Sequence, residues 1–227
     1  NNEKPHYHLV ASSKMDKLVL GMTFYPVNPN NIAITGIARN DFLRIPLEKM
    51  PLYLQSQIET IRQIKKDRKL IVYAPTYRNP ELGGYNYALS DEEIRRMKGV
   101  LRANNAILCL RMHYHNKFIN YDRYVDNDII FKLEHDSIPD VSALIREASI
   151  VISDYSSVLI DAIYNDVKVI SFAYDYSNYK NVEVGLIYDL WQITNSNVCE
   201  TFSELLDCVN RLFNEEQGDQ GRLHVKK

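Results

Sequence analysis

The stretch VISDYSSVLIDAIYND, residues 151–166, indicates the class of fold because it places an apolar strand directly before a helix. The apolar residues at its start predict a buried strand, and the apolar spacing from Val158 onward predicts a helix. Asp154, Ser156 and Ser157 stand at the junction. A helix start has unsatisfied N–H groups and a positive dipole end, so a hydroxyl there can cap the helix or help to seat a phosphate. The position after a buried strand favours phosphate over simple capping.

The same alternation of strand and helix runs through most of the chain. The runs LIVYAP, from residue 70, and AILCL, from residue 106, are continuously apolar, as internal strands of a parallel sheet are. Between them, SDEEIRRMKGVLRANN has helical spacing and opens with Ser90 as an N-cap, followed by acidic residues. The pattern predicts an α/β fold, a Rossmann-like parallel sheet with helices on both faces, preceded by a short βαβ-like segment at 6–36.

The composition is that of an ordinary globular protein, with 45% hydrophobic and 25% charged residues among 227. A formal net charge of -2 argues against a nucleic-acid partner held by bulk electrostatics. The three cysteines lack the paired spacing of metal ligands, so we expect buried thiols. No segment reaches the roughly 18 apolar residues of a membrane span.

Polar residues follow the predicted strands. In an open parallel sheet, ligands bind in the crevice beyond the carboxyl ends of the strands. The segments at those ends are rich in hydroxyl, histidine, arginine and carboxylate side chains: 76–78, 111–115, 135–140, 154–157 and 174–179. This clustering predicts a polar binding site at one edge of the sheet.

Arginine and histidine supply the chemistry of this predicted site. Arg78 follows one strand, with Thr76 beside it, and its planar guanidinium suits paired phosphate oxygens, although a surface ion pair is the ordinary alternative. Arg111, His113 and His115 alternate, which puts them on one face if the strand extends that far. Histidine can accept a proton from an attacking alcohol near neutral pH. Because it follows the apolar run that ends in Arg111, we place a catalytic role for His113 ahead of the ordinary alternative, a hydrogen-bonded histidine at a strand edge, and for His115 behind it. A third metal ligand is not evident nearby, and no metal site is predicted.

Residues 137–140 precede another predicted helix. Our first interpretation of Asp140 is that it is the N-cap of this helix. The backbone around Ile138, with Ser137 and Pro139 on either side, can equally border a flat base. We predict no cofactor. Mg²⁺ often accompanies bound phosphates, but no acidic cluster in the sequence demands it.

Five motifs, taken in order, resemble the CDP-glycerol glycerophosphotransferase family, the teichoic-acid primases and polymerases of bacterial cell envelopes: ITGIARNDFL, YAPTYR, RMHY, SDYSSVLIDAI and ISFAYDYSNY. The resemblance covers residues 32–43 and 70–180. It implies the two-domain GT-B architecture, with residues 46–227 as the domain that binds the CDP-polyol and residues 1–45 as the end of the acceptor-side domain with its linker. The family's Trp-His-Gly motif is missing, so we expect the donor-binding half of a longer transferase.

The resemblance also implies a reaction. Glycerol phosphate, or a similar polyol phosphate such as ribitol phosphate, passes from CDP-glycerol to a hydroxyl of a lipid-linked or polymeric acceptor, and CMP leaves. His113 is the implied catalytic histidine, Asp154 and His115 are supporting residues, and 137–140 border the cytidine. The residues that it assigns to the donor pyrophosphate are Thr76, Arg78, Arg111, Ser156 and Ser157. The implied location is cytoplasmic, at the inner face of the cell membrane, with docking through regions outside this chain.

Two alternatives stay open on the sequence. One is the C-terminal half of a GT-B glycosyltransferase or epimerase that uses a UDP-sugar, which shares the sheet and the phosphate seat. The other is a nucleotide-binding module without activity of its own. Nucleotide preference separates the first from a CDP-polyol enzyme, and turnover in an intact protein separates the second.

Overall fold

The computed structural model describes residues 8–78, 85–112, 120–183, 186 and 188–215. The chain divides into two compact units, residues 1–50 and 51–227. In the first unit, the strands β1 (Leu9–Ala11) and β2 (Ile32–Ile34) pair in parallel, and helix α1 (Lys14–Thr23) connects them, as the βαβ-like pattern predicts. A short helix α2 (Asp41–Arg44) follows.

Within the described residues, the second unit contains a six-stranded sheet whose strands are all parallel. The strands are β3 (Lys69–Tyr73), β4 (Ala106–Leu110), β5 (Ile130–Lys132), β6 (Ile150–Ser153), β7 (Lys168–Phe172) and β8 (Val198–Cys199). Their order is β5-β4-β3-β6-β7-β8. Along the chain, β4 and β5 are added on one side of β3, and β6, β7 and β8 are then added on the other side. The predicted Rossmann-like sheet is confirmed, and its topological switch point lies between β3 and β6.

Helices cover both faces of this sheet. They are α3 (Leu52–Lys65), α4 (Asp91–Ala103), α5 (Val141–Glu147), α6 (Val158–Tyr164), α7 (Tyr176–Asn178), α8 (Leu190–Ile193) and α9 (Phe202–Asn214). A π-helical turn, Tyr179–Glu183, extends α7. On one face α4 packs against α9, and Ile71 and Tyr73 of β3 join their apolar cluster. Leu70 and Val72 are equally buried and alternate to the other face, where α5 packs against β3, α3 and α6.

Burial explains the apolar runs in the sequence. Every residue of β4 and β6 is buried, as is β3 from Leu70 onward, because helices cover both faces of these central strands. Ser90 caps α4 as predicted, and it forms a full capping box with Glu93. The sequence from residue 47 to residue 66 has helical apolar spacing, but the structure divides it into two helical elements. Leu47–Lys49 is a 3₁₀ turn, and α3 begins only after Pro51, since proline is compatible with a helix start but not with its interior.

The strand β4 is shorter than its sequence pattern suggested. It ends at Leu110, so Arg111 and Met112 lie beyond it and the alternation of strand side chains does not extend to them. The cysteines Cys109, Cys199 and Cys208 are buried and free, as expected. In the part of the chain that the structure describes, no helix has the length and apolar content needed to cross a membrane.

Asp126 fixes the turn that leads into β5. Its Oδ1 accepts the backbone N–H groups of Asp128, Ile129 and Ile130 at 3.1, 2.8 and 2.9 Å. Its Oδ2 pairs with Lys98 at 2.8 Å. Burial raises the pKa of this carboxyl, but the hydrogen bonds from Lys98 and the backbone outweigh burial and leave the pKa below its ordinary value.

Asp126→Asn tests this interaction. A carboxyl whose pKa is lower in the folded state stabilises the fold above about pH 4 and loses that contribution as the pH falls through the folded-state pKa. The variant should therefore lower the free energy of unfolding by about 1–3 kcal/mol near neutral pH, and by less in acid. Urea unfolding at several pH values measures this difference. Asp128→Asn, at a side chain that is 78% exposed, is the control. A deficit for Asp126→Asn that does not change with pH would contradict the assignment.

Candidate functional site

The site begins where β3 and β6 end. Tyr73 pairs with Ile152 in the sheet, and the N–H of Ala74 donates to the carbonyl of Ile152 at 2.9 Å. The segments after the two strands, 74–78 and 154–157, therefore start side by side at the switch point. Ser153 strengthens this junction, because its hydroxyl donates to the carbonyl of Ala74.

Asp154 ties the two segments together. Its carboxylate is buried and accepts the backbone N–H of Thr76 at 3.0 Å, the Thr76 hydroxyl, and the backbone N–H of Tyr155 at 2.7 Å. Its backbone carbonyl accepts the hydroxyl of Ser171, on β7, at 2.6 Å. The position of the turn after β6 is thus set by contacts to both neighbouring strands.

Arg78 is as deeply buried as Asp154, with 1% of its surface exposed. Its Nε and Nη2 donate to the two carboxylate oxygens of Asp175 at 2.8 and 3.1 Å, which is the bidentate geometry typical of arginine. Its Nη2 also pairs with Asp154 at 2.8 Å. One guanidinium therefore joins the segments that follow β3, β6 and β7.

Aromatic rings surround this guanidinium. The ring centroids of Tyr155, Tyr174 and Tyr179 lie 5.1, 5.6 and 5.1 Å from its central carbon, within the range of cation–π attraction. Tyr155 and Tyr179 stack on each other at 4.0 Å, and the Tyr155 hydroxyl donates to Asp175 at 2.9 Å. The rings exclude water from the ion pairs, which strengthens the pairs.

The ionisation of the cluster follows from these contacts. Burial lowers the pKa of Arg78, but the hydrogen bonds and charges of Asp175 and Asp154 outweigh burial, so the pKa lies above its ordinary value. Burial, reinforced by the charge of Asp175, raises the pKa of Tyr155. The cluster therefore contains a permanent cation and a neutral phenol that donates a hydrogen bond to a carboxylate.

This arrangement differs from the one predicted for Arg78. Its ordinary alternative, a surface ion pair, is wrong because the pair is buried. Binding of the donor pyrophosphate stays a prediction. In the observed geometry the guanidinium is covered: its Nε and Nη2 donate to two carboxylates, and its Nη1 lies 3.5 Å from the carbonyl of Thr76. Direct contact with a phosphate would require this cover to open.

Arg111 is buried in a similar way, with 4% of its surface exposed. Its Nη1 donates to the carbonyl of Leu133 at 3.1 Å, and its Nη2 donates to the carbonyl of Pro139 at 3.1 Å and lies 3.0 Å from Nδ1 of His135. Nδ1 can accept only when the imidazole is neutral, and burial followed by the charge of Arg111 lowers the pKa of His135. Arg111 therefore holds the loop between β5 and α5.

That loop is the segment predicted to border the base. Ile138 is fully buried, and Asp140 caps α5 by accepting the N–H of Ser142 at 2.8 Å, which confirms the N-cap reading. Ser137 is exposed, and its hydroxyl donates to the carbonyl of Glu134 at 3.1 Å. Contact of residues 137–140 with a nucleotide stays a prediction.

The two serines at the start of α6 differ in their contacts. The Ser156 hydroxyl accepts the N–H of Val158 at 3.3 Å, so one serine caps the helix. Ser157 occupies the N-cap position, yet its side chain makes no capping hydrogen bond and is exposed. One hydroxyl is therefore used by the backbone at the helix start, and the other is not used in capping. His113 and His115 lie outside the described residues, and their predicted roles stay predictions.

A family model for CDP-glycerol:poly(glycerophosphate) glycerophosphotransferases matches residues 1–227. The chain belongs to this family. It is 28% identical over 189 residues to a teichoic acid poly(glycerol phosphate) polymerase of Bacillus spizizenii, covering 82% of this chain and 46% of the relative. It is 22% identical over 210 residues to the teichoic acid ribitol-phosphate polymerase TarL of Staphylococcus aureus, covering 92% of this chain and 36% of that relative.

A solved structure, that of the wall teichoic acid polymerase TagF, has the same fold. It superposes with a TM-score of 0.65 at 24% identity, over 90% of this chain and 49% of that one. The resemblance to the glycerophosphotransferases and the α/β fold are both confirmed. The chain spans less than half the length of each of these proteins.

Sequence reasoning about this glycerophosphotransferase family member missed Asp175 and His135. Asp175 falls within the polar segment 174–179 predicted to follow a strand, where no role was assigned to it, yet it supplies the bidentate partner of Arg78. Its position directly after β7, a central strand, was the available signal. The described residues contain no group of three or more histidine, cysteine, aspartate or glutamate side chains arranged to hold a metal ion.

Arg111→Lys tests whether the guanidinium holds the loop at residues 133–139. Lysine keeps the charge but cannot reach three separate acceptors with a planar fork. We expect the free energy of unfolding in urea to fall by about 1–3 kcal/mol and the loop amides to exchange faster. Arg95→Lys, at an exposed helical arginine paired with Glu92, is the matched control and should change stability by less than about 0.5 kcal/mol. Equal effects of the two changes would contradict the role of Arg111.

Proposed function

We propose that residues 51–227 form the donor-binding part of a transferase. This transferase moves glycerol phosphate, or a related polyol phosphate, from its CDP conjugate to an acceptor hydroxyl and releases CMP. The observation that carries the proposal is the family match over the whole chain, from residue 1 to residue 227. The switch-point geometry agrees with it, because this is where open parallel sheets bind nucleotides.

The donor pyrophosphate would lie over the junction of β3 and β6. Ser157 supports this placement because its hydroxyl is exposed and not used in capping. Thr76 and Ser156 flank the same junction, although their hydroxyls already have partners in Asp154 and in the backbone of α6. The cytidine would lie toward residues 137–140, the loop that Arg111 holds.

The proposed chemistry is in-line attack by an acceptor hydroxyl on the phosphorus that bears the polyol. His113 would accept the proton of that hydroxyl or stabilise the charge that develops on the phosphate. In phosphoryl transfer, preplaced donors supply most of the catalysis, because there is little covalent chemistry for the protein to perform. Mg²⁺ could assist by neutralising phosphate charge, but the described residues offer no dedicated site for it.

The acceptor would be a growing teichoic acid or a similar cell-envelope polymer, or its lipid-linked primer. Support comes from the relatives, whose names describe polymerases of glycerol phosphate and of ribitol phosphate. We propose a cytoplasmic location against the inner face of the membrane, where such an acceptor would be reached, with docking through parts of a longer protein. The names of the relatives include both glycerol phosphate and ribitol phosphate, so they do not decide which polyol this protein would transfer.

Calorimetric titration of this chain with CDP-glycerol, CDP-ribitol, CMP and UDP-N-acetylglucosamine tests the proposal. We expect selective binding of the cytidine compounds, and the ratio of the two CDP-polyol affinities identifies the carried alcohol. Preference for the uridine sugar would overturn the proposal and favour a UDP-sugar enzyme.

Ser157→Ala probes the pyrophosphate seat within the same titrations. A hydrogen bond to a charged phosphate is lost, so CDP-glycerol should bind about tenfold more weakly while cytidine alone binds unchanged. Ser56→Ala, at an exposed serine of α3, is the matched control. Unchanged affinity for CDP-glycerol in Ser157→Ala would remove this hydroxyl from the site.

His113→Ala separates binding from chemistry. In the intact, full-length enzyme we expect donor affinity to stay within a few-fold and transfer to the acceptor to be abolished, because the group that handles the proton is gone. Radiolabelled polyol phosphate incorporation measures transfer, and donor titration measures affinity. Full transfer activity in the variant would exclude His113 from the mechanism.

A further inference from the structure

The buried charged cluster at the switch point consists of Arg78, Asp154 and Asp175. Neither helix capping nor strand pairing requires so many buried charges. Arg78 joins Asp154 and Asp175, which follow different strands, and all three side chains are at most 6% exposed. The two carboxylates and one guanidinium carry a net negative charge. Neutral donors compensate for it: the Tyr155 hydroxyl at Asp175, and the N–H and hydroxyl of Thr76 at Asp154.

The contacts form a chain that runs from Asp175 through Arg78 to Asp154. Arg78 and Asp175 contact each other through two hydrogen bonds, so each fixes the orientation of the other. Arg78 in turn pairs with Asp154 through its Nη2. Asp154 in turn fixes the backbone of Thr76 and the start of the turn that carries the two serines.

We propose that Arg78 and Asp175 are positioning residues, which hold Asp154 in place without touching the donor. The inference rests on the proposed function for its ligand, a CDP-polyol, and it replaces direct phosphate binding as the role of Arg78. Its physical basis is the burial of the guanidinium and its division between two carboxylates. A phosphate approaching from solvent would meet the hydroxyls and backbone of the turn instead.

The two roles predict opposite results for Asp175→Asn. If Arg78 binds phosphate, weakening its hold on Asp175 frees the guanidinium, and CDP-glycerol should bind equally well or more tightly. If Arg78 positions Asp154, the same change loosens the turn, and CDP-glycerol should bind about tenfold more weakly. Cytidine, which lacks the pyrophosphate, should bind as in the wild type, whereas general damage to the fold would weaken both ligands.

Arg78→Lys completes the comparison. Lysine keeps the positive charge but cannot bridge two carboxylates with a planar fork, so a positioning role predicts a loss comparable to that of Asp175→Asn. The double variant should be little worse than either single one, because both disrupt one unit. Arg95→Lys and Asp128→Asn are exposed controls. Additive losses, or tighter binding in Asp175→Asn, would overturn the proposal.

If the chain binds no CDP compound, the proposed function is wrong. The positioning role of Arg78 and Asp175 can still be tested, by a measurement that needs no ligand. The amides of Thr76 and Tyr155 donate to Asp154, and amide hydrogen exchange reports how firmly they are held. Both variants should speed their exchange about tenfold while the amides of β4 are unaffected. Tyr155→Phe, which removes a single hydrogen bond to Asp175, should have the same effect in weaker form and serves if a charge variant fails to fold. Unchanged exchange at Thr76 and Tyr155 would overturn the proposal.

Discussion

The ion pairs of Arg78 with Asp154 and Asp175 are the constraint on which the candidate site depends. A buried charge without a partner is strongly destabilising, so these three groups must be placed together whenever the unit is folded. Each follows a different strand, and their meeting fixes where the chain turns after β3, β6 and β7. The tyrosines around the guanidinium keep water out and prevent competing hydrogen bonds.

Arg111 performs a related task on the other side of β3. It secures the loop between β5 and α5 through two backbone carbonyls and the ring of His135. Both arginines are therefore buried and hold loops at the sheet edge, whereas Ser157 is exposed to solvent. A rigid edge of this kind suits phosphoryl transfer, in which catalysis comes mainly from donors that are already in place.

Local patterns predicted the helices and strands well, because apolar spacing and capping by Ser90 and Asp140 depend on neighbouring residues. The parallel sheet followed from the alternation of strands with helices, although its strands pair over long distances in the sequence. The family was equally readable from the order of its motifs. The environment of Arg78 was not predictable, because its main partner lies 97 residues away and only the tertiary fold buries both. The helical spacing of residues 47–66 does not by itself mark the start of α3 at Leu52, but the proline before it is a local signal. The end of β4 at Leu110 has no comparable marker in the sequence.

The most direct test is a crystal structure of this chain with CDP-glycerol bound. The account predicts the pyrophosphate over the junction of β3 and β6, within hydrogen-bond distance of Ser157, with Arg78 still against Asp154 and Asp175 beneath it. A pyrophosphate seated elsewhere on the sheet would contradict the account of the donor site. An Arg78 guanidinium turned away from both carboxylates onto the phosphates would contradict its positioning role.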